Sequence, residues 1–180
     1  MIKKMLSLDS QLTEKLQLSE SKSFYRQAAE FFAHSGDSWF WLAGLFLIWL
    51  FSVGRRHQLA AVFAAAIIIQ AALVIMIKFA IRRRRPEGTW GEVYRKTDPH
   101  SFPSGHAVRA VMLAIMAWGL NLSPLNWILV FWAPLVSYAR IALGLHYIVD
   151  VIAGWVLGIL LAFAMLNFYP VLMQWFPWVF

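Results

Sequence analysis

The chain has 180 residues, 61% hydrophobic and 14% charged, with no cysteine and a formal net charge of +7. A soluble domain holds about 45–50% apolar and roughly 25% charged residues, so the apolar surplus, gathered in long runs, makes the bilayer its natural solvent. The basic residues lie between apolar runs and not on a polar face with interleaved aromatics, which excludes nucleic-acid binding and favours anionic headgroups or phosphates; the lack of cysteine excludes disulfides, thiolate catalysis and cysteine-ligated metals.

Residues 1–36 mix polar and apolar positions. Leu8, Leu12, Leu16, Phe24, Ala28, Phe31 and Phe32 recur at near-helical spacing, which predicts an interfacial amphipathic helix or a pair of them, with a tail packed on the bundle as the alternative. Met1–Leu12 holds no apolar h-region, so no cleavable signal peptide is expected. Five apolar spans follow, near Trp39–Val53, Leu59–Ile81, Ala107–Leu120, Leu125–Leu143 and Tyr147–Phe168. Residues 169–180 are apolar but short and contain Pro170 and Pro177, which predicts an interfacial tail. The expectation is therefore one domain over 1–180: an amphipathic segment 1–36, a transmembrane core 37–168 and a tail 169–180. Its class is all-α, an integral membrane bundle of five to six transmembrane helices.

The connections carry a parity argument. If residue 36 lies on side A, the loop 54–58 lies on side B, 82–106 on A, 121–124 on B, and the tight link at Gly144 on A. The two segments richest in ionisable residues at membrane depth thus meet on one face.

Ionisable residues inside apolar spans default to functional readings. Lys78 ends the second span, and Arg85 follows seven residues later on nearly the same face if the helix continues to Pro86. The pair reads either as an anion site or as snorkelling anchors; Arg82, Arg83 and Arg84 read as snorkelling anchors. Ser101-Phe102-Pro103-Ser104-Gly105-His106 precedes the third span, where a helix N-terminus offers backbone N–H groups to an anion and Ser104 a hydroxyl; a plain cap and turn is the alternative. His146 and Asp150 are spaced i, i+4, so one helix face carries both, and the aspartate can hold the imidazole tautomer. Arg140 lies across Gly144, where a bend brings it back toward His146. Three cations, backbone donors and two histidines suit a tetrahedral oxyanion and phosphoryl transfer.

These motifs resemble the type-2 phosphatidic acid phosphatase superfamily, which includes membrane lipid phosphatases and vanadium haloperoxidases. Its pattern is K-x6-R-P, P-S-G-H and S-R-x5-H-x3-D. Lys78…Arg85-Pro86, Pro103-Ser104-Gly105-His106 and Arg140…His146…Asp150 match in order and spacing, across roughly residues 59–165. The resemblance implies that His146 attacks phosphorus and forms a phosphohistidine, that Asp150 orients it, and that His106 protonates the leaving oxygen. Lys78, Arg85, Ser104, Gly105 and Arg140 would bind phosphate, with no metal and no other cofactor. The implied activity is hydrolysis of a lipid phosphate monoester or pyrophosphate, of the phosphatidic acid, phosphatidylglycerophosphate or polyprenyl type. The expected partners are the bilayer and that lipid. Alternatives are a lipid phosphotransferase with the same site, a haloperoxidase, or a non-catalytic lipid-binding membrane protein.

Three departures stand out. Ala139 replaces the serine before the third-motif arginine. Five spans are found where the family has six. Arg109, three residues after His106, reads as a partner of a site carboxylate or a reader of the headgroup, or as half of an interhelical ion pair. His34 and Asp37 read as caps or interfacial contacts, His57 and His100 as solvated loop residues. Glu87, Glu92 and Asp98 would balance the arginine run or shape the entrance; Trp90 and Tyr94 read as interfacial anchors. The charges on side A (Arg82–Arg85, Arg95, Lys96 and the N-terminal lysines) put the site in the cytoplasm by the positive-inside rule. Arg55 and Arg56 vote the other way, and the family resemblance implies a multi-pass cell-membrane protein with an extracytoplasmic site.

Overall fold

A computed structural model describes residues 2–19, 21, 23–87 and 98–180. Glu92, Trp90, Tyr94, Arg95 and Lys96 therefore lie outside the described residues. Within them the chain is all-helical: α1 (Ile2–Leu16), α2 (Phe24–Ser35), α3 (Ser38–Phe51), α4 (Arg55–Ile81), α5 (Gly105–Gly119), α6 (Leu125–Ala142) and α7 (Ile148–Trp175).

Three of these, α4, α6 and α7, are long and apolar enough to cross a membrane. α3 and α5 are apolar but only 14 and 15 residues long, about 21–23 Å at 1.5 Å per residue. The outer faces are apolar too: Ile68, Met76 and Phe79 on α4 and Ile152, Leu160 and Phe163 on α7 are all more than half exposed. Water would not tolerate a face of that extent, whereas lipid matches it.

α5 is the central helix. Residues Ala107–Ala114 are all buried, and Met112, Leu113 and Met116 join Ile67 of α4, Leu129 and Val136 of α6, and Ala162 of α7 in one core cluster. Glycine lets α7 come this close. A Cβ on Gly154 would stand 2.9 Å from the Ser104 carbonyl, and one on Gly158 2.6 Å from the Val108 carbonyl. The two glycines, four apart on one face, let the backbones meet as small-xxx-small pairs do in bilayers.

Several boundaries differ from expectation, each for a physical reason. The first span does not stand alone. α2 packs along α6 with Ala29 and Ala33 buried against Ala139 and Leu143, and its end lies beside Val136. α2 therefore descends alongside α6, and α3 resumes after a break at Gly36–Asp37. α4 stops at Ile81, where Arg82 adopts a left-handed conformation (φ 54°) and its N–H caps the Lys78 carbonyl. Pro86 disfavours helix at Arg85, and Arg84 instead pairs with His100. The last helix runs through Pro170 to Trp175, because Tyr169 and Leu172 pack on the core with Phe180.

Connections that the parity argument assigns to one side also contact one another. Arg55 of the 54–58 loop donates 3.0 Å to the Leu120 carbonyl, which joins the two B-side connections. On the A side, the Ser104 amide donates 3.0 Å to the Asp150 carbonyl and the Leu18 amide 2.8 Å to the Ala142 carbonyl.

α1 is amphipathic as expected, but its polar face is the buried one. Asp9 and Thr13 are buried, while Leu6, Leu8, Leu12 and Leu16 are 41–54% exposed. Asp9 Oδ1 accepts from the Val149 amide at 3.2 Å, and Thr13 Oγ1 from the Ile148 amide at 3.2 Å. These first-turn amides of α7 have no intrahelical partner. α1 supplies them with acceptors and turns its leucines outward.

Candidate active site

Side A holds a cavity of about 320 Å³ lined by Lys78, Arg109, Arg140, His106, His146, Gly105, Asp98 and Ser38, with Gln70, Ala71, Val74, Ile75 and Phe79 of α4 as a mostly apolar wall. Lys78, Arg85, Arg140, His146 and Asp150 are all buried, Arg140 and Asp150 completely.

The turn between α6 and α7 places the third motif. Gly144 takes φ +68°, a conformation other residues adopt at a cost. The chain then folds back so that the Leu145 and His146 amides donate to the Arg140 carbonyl at 3.0 and 3.2 Å. Arg140 and His146 thereby line the same cavity. His146 Nδ1 lies 3.6 Å from Asp150 Oδ2, just beyond hydrogen-bond distance, and that oxygen accepts the Tyr147 amide at 3.0 Å. Burial, together with Arg85, Arg140 and Lys78, holds the His146 imidazole well below its ordinary pKa. It is therefore neutral at pH 7, the form that can attack.

The first motif converges by a route the sequence did not suggest. With α4 ending at Ile81, Arg85 arrives from the loop and not from the face that carries Lys78. It donates 2.7 Å to the Leu145 carbonyl, and its Nη1 stands 3.3 Å from His146 Nε2. Lys78 and Arg85 both hold the Asp98 carboxylate, Arg85 Nη2 at 2.8 Å. Asp98 thus bridges the two cations whose charges would otherwise repel.

The second motif sits at the N-terminus of α5. Ser104 is the N-cap residue and is fully buried; Gly105 and His106 line the cavity. Ala139 does not. Its side chain packs with Ala29 and Ala33 of α2, so the missing serine hydroxyl removes nothing from the cavity wall.

Three residues gain partners that sequence reasoning missed. Arg83 donates 2.7 Å to Asp150 and 2.6 Å to Asp9, with its guanidinium 4.0 Å over the Tyr147 ring; it is no snorkelling anchor. Asp37 Oδ1 lies 2.8 Å from His106 Nε2, and Oδ2 3.2 Å from His34 Nδ1. Arg109 hydrogen-bonds the Gly36 carbonyl and the Ser38 hydroxyl. Among the other histidines, His57 bonds the Trp49 carbonyl at 2.7 Å and stacks on that ring, and His100 packs edge-on to Phe79. Neither is simply solvated.

The PAP2 superfamily profile matches residues 59–174, more than half of the chain. The chain belongs to the PAP2 superfamily. Among curated relatives it is 30% identical over 137 residues to an undecaprenyl-diphosphatase of Sulfolobus acidocaldarius, covering 74% of this chain and 65% of that one. It is 34% identical over 119 residues to the decaprenylphosphoryl-5-phosphoribose phosphatase of Mycobacterium tuberculosis, covering 66% and 65%. The chain thus spans just under two thirds of the length of these relatives. Two crystal structures share the fold. The Bacillus subtilis transmembrane PAP2-type phosphatidylglycerolphosphate phosphatase aligns at TM-score 0.69 and 22% identity, over 91% of this chain and 85% of that one. LpxE of Aquifex aeolicus aligns at 0.65 and 24%, over 87% and 93%. As a PAP2 chain with these helices, it is a membrane protein.

Proposed function

We propose that this PAP2 protein hydrolyses the terminal phosphate of a membrane lipid, without a metal, through a phosphohistidine on His146. The observation that carries the reading is one cavity lined by His106 and His146 from two different helices' ends, by Lys78, Arg109 and Arg140, and by an apolar wall of α4, with Arg85 against His146. Lys78, Arg85 and Arg140, with the Ser104–His106 backbone and the Ser104 hydroxyl, take the phosphate in place of Asp98. His146 Nε2 attacks phosphorus, and Asp150 holds the ring from Nδ1. The P–O bond to the lipid breaks as His106 gives the departing oxygen its proton. A water then attacks the phosphohistidine, giving its proton to His106, and the N–P bond breaks to free phosphate and His146.

The apolar wall suits a lipid tail, and both curated relatives above are named for polyprenyl substrates; a polyprenyl phosphate or diphosphate is therefore the favoured class. The protein is proposed to cross the membrane several times, with its site on the extracytoplasmic face. The test is phosphate release by the detergent-purified protein from polyprenyl diphosphate, phosphatidic acid and phosphatidylglycerophosphate, in EDTA, beside His146→Ala. Release that survives EDTA and disappears in the variant is the expected result. No release from any lipid by folded protein would sink the reading.

A further inference from the structure

The break between α2 and α3 is not at an end of the bundle. A Cβ on Gly36 would stand 3.1 Å from Val136 of α6 and 3.0 Å from the His106 ring, so the break lies part-way along α6, against the candidate site. Non-helical backbone at such a level persists only where protein satisfies it. Arg109 does so, donating to the Gly36 carbonyl on one side of the break and to the Ser38 hydroxyl on the other. Between those two clamped residues is Asp37. It occupies the N-cap position of α3 yet makes no side-chain capping bond. Its carboxylate goes to His106 Nε2 at 2.8 Å and to His34 Nδ1 at 3.2 Å. An acidic group at this place is costly without a purpose.

We propose that Asp37 is the positioning carboxylate of the acid–base histidine His106, as Asp150 is of His146, and that Arg109 fixes the broken-helix corner that presents it. The inference rests on the phosphatase reading above. The groups around His106 argue for it. Arg140 of α6, Lys78 of α4 and Arg109 one turn along α5 are all cationic, and His146 faces it across the cavity. Asp98, which lines the cavity, is held by Lys78 and Arg85. Asp37 alone among the described carboxylates bonds His106, so it balances the positive charge that ring carries as an acid. It also engages Nε2, which fixes the tautomer and leaves the other ring nitrogen for the leaving oxygen.

The experiment compares wild type, D37N, H106A and the double variant on two substrates. A lipid phosphate monoester expels an alkoxide, which needs a proton; p-nitrophenyl phosphate expels a phenolate, which does not. D37N is expected to lower kcat/KM on the lipid phosphate by about 10–100-fold, within the range of general acid catalysis, with little loss of kcat/KM on p-nitrophenyl phosphate, because kcat/KM reports the step that expels the leaving group and not the later attack of water on the phosphohistidine. It should add nothing to H106A. Equal losses on both substrates, or additive losses in the double variant, would reduce Asp37 to a structural residue. Nitrogen-15 spectra of the wild-type histidines, assigned against H106A, test the contact even if D37N does not fold. An Nε2–H tautomer at His106 is expected, and an Nδ1–H tautomer overturns the proposal. Wild type that is folded, shows the Nε2–H tautomer and still releases no phosphate would instead refute the phosphatase reading while leaving the Asp37–His106 contact intact.

Discussion

At the scale of single residues, Arg83 links three parts of the molecule. One guanidinium holds Asp150, beside the proposed nucleophile His146, and Asp9 on α1, and lies over Tyr147. Two carboxylates at fixed angles need the planar fork of arginine, which lysine does not reproduce. Arg83→Gln is expected to lower kcat by about 10–100-fold through misplacement of His146, and Arg83→Lys to recover little of it, as steady-state kinetics on the preferred lipid will show. His146 makes a second prediction. Its pKa lies well below the ordinary 6.5 because it is buried among Arg85, Arg140 and Lys78. The neutral ring therefore persists as pH falls, and if it attacks phosphorus as proposed, the acid limb of kcat/KM should lie below pH 6.5. The same shift means that the unfolded chain binds this proton more readily. Stability from this group is present above the unfolded value and is lost progressively as pH falls from there through the lowered folded value. An acid limb at or above 6.5 in the pH–rate profile would contradict this account of the cationic surroundings.

Among the elements, the closest approach is that of α5 and α7. It puts His106 at the start of one helix beside the His146–Asp150 turn at the start of the other, and the Ser104 amide bonds directly to the Asp150 carbonyl. A methyl on Gly158 would meet the Val108 carbonyl at 2.6 Å, a backbone atom that cannot swing aside. Gly158→Ala is expected to destabilise the protein by about 1–3 kcal/mol, read as a lower melting temperature in detergent. At Gly44 nothing lies within 4 Å of the added Cβ, so Gly44→Ala serves as the control with little change. α1 follows a different logic. Its contacts are polar tethers to the first turn of α7, and its leucines face outward, so it is held to the bundle by hydrogen bonds and leaves an apolar stripe suited to lipid.

For the whole molecule, the arrangement is a helical bundle with an ionisable cavity, and the proposal that this cavity opens at one membrane face is open to direct test. The chain has no native cysteine, so single-cysteine labelling reads topology directly. Ser21→Cys, in the α1–α2 link on the site's side, and Arg56→Cys, on the opposite side, are expected to react with an impermeant maleimide from opposite faces of the membrane. Labelling from the same face would rule out the span parity described here. The apolar runs and the polar links between them were legible because solvation alone separates the two kinds of segment. The three motifs were legible too, because proline, glycine and i, i+4 spacing act locally. Less legible were the partners contributed by distant segments. Asp9, Asp37 and Arg83 look like surface charges in the sequence, and only packing brings them to Asp150 and His106.

The sequence by itself determined the solvent, the helical class, the order of the spans and the set of candidate chemical groups, since burial of apolar runs and local backbone preference depend on near neighbours. The tertiary structure alone decided that α4 ends at Ile81, that Arg85 reaches His146 from a loop, that Ala139 faces α2 and that a broken helix delivers Asp37 to His106. Each of those depends on which side chain happens to meet a charge or a carbonyl from dozens of residues away, and no local pattern records such a meeting.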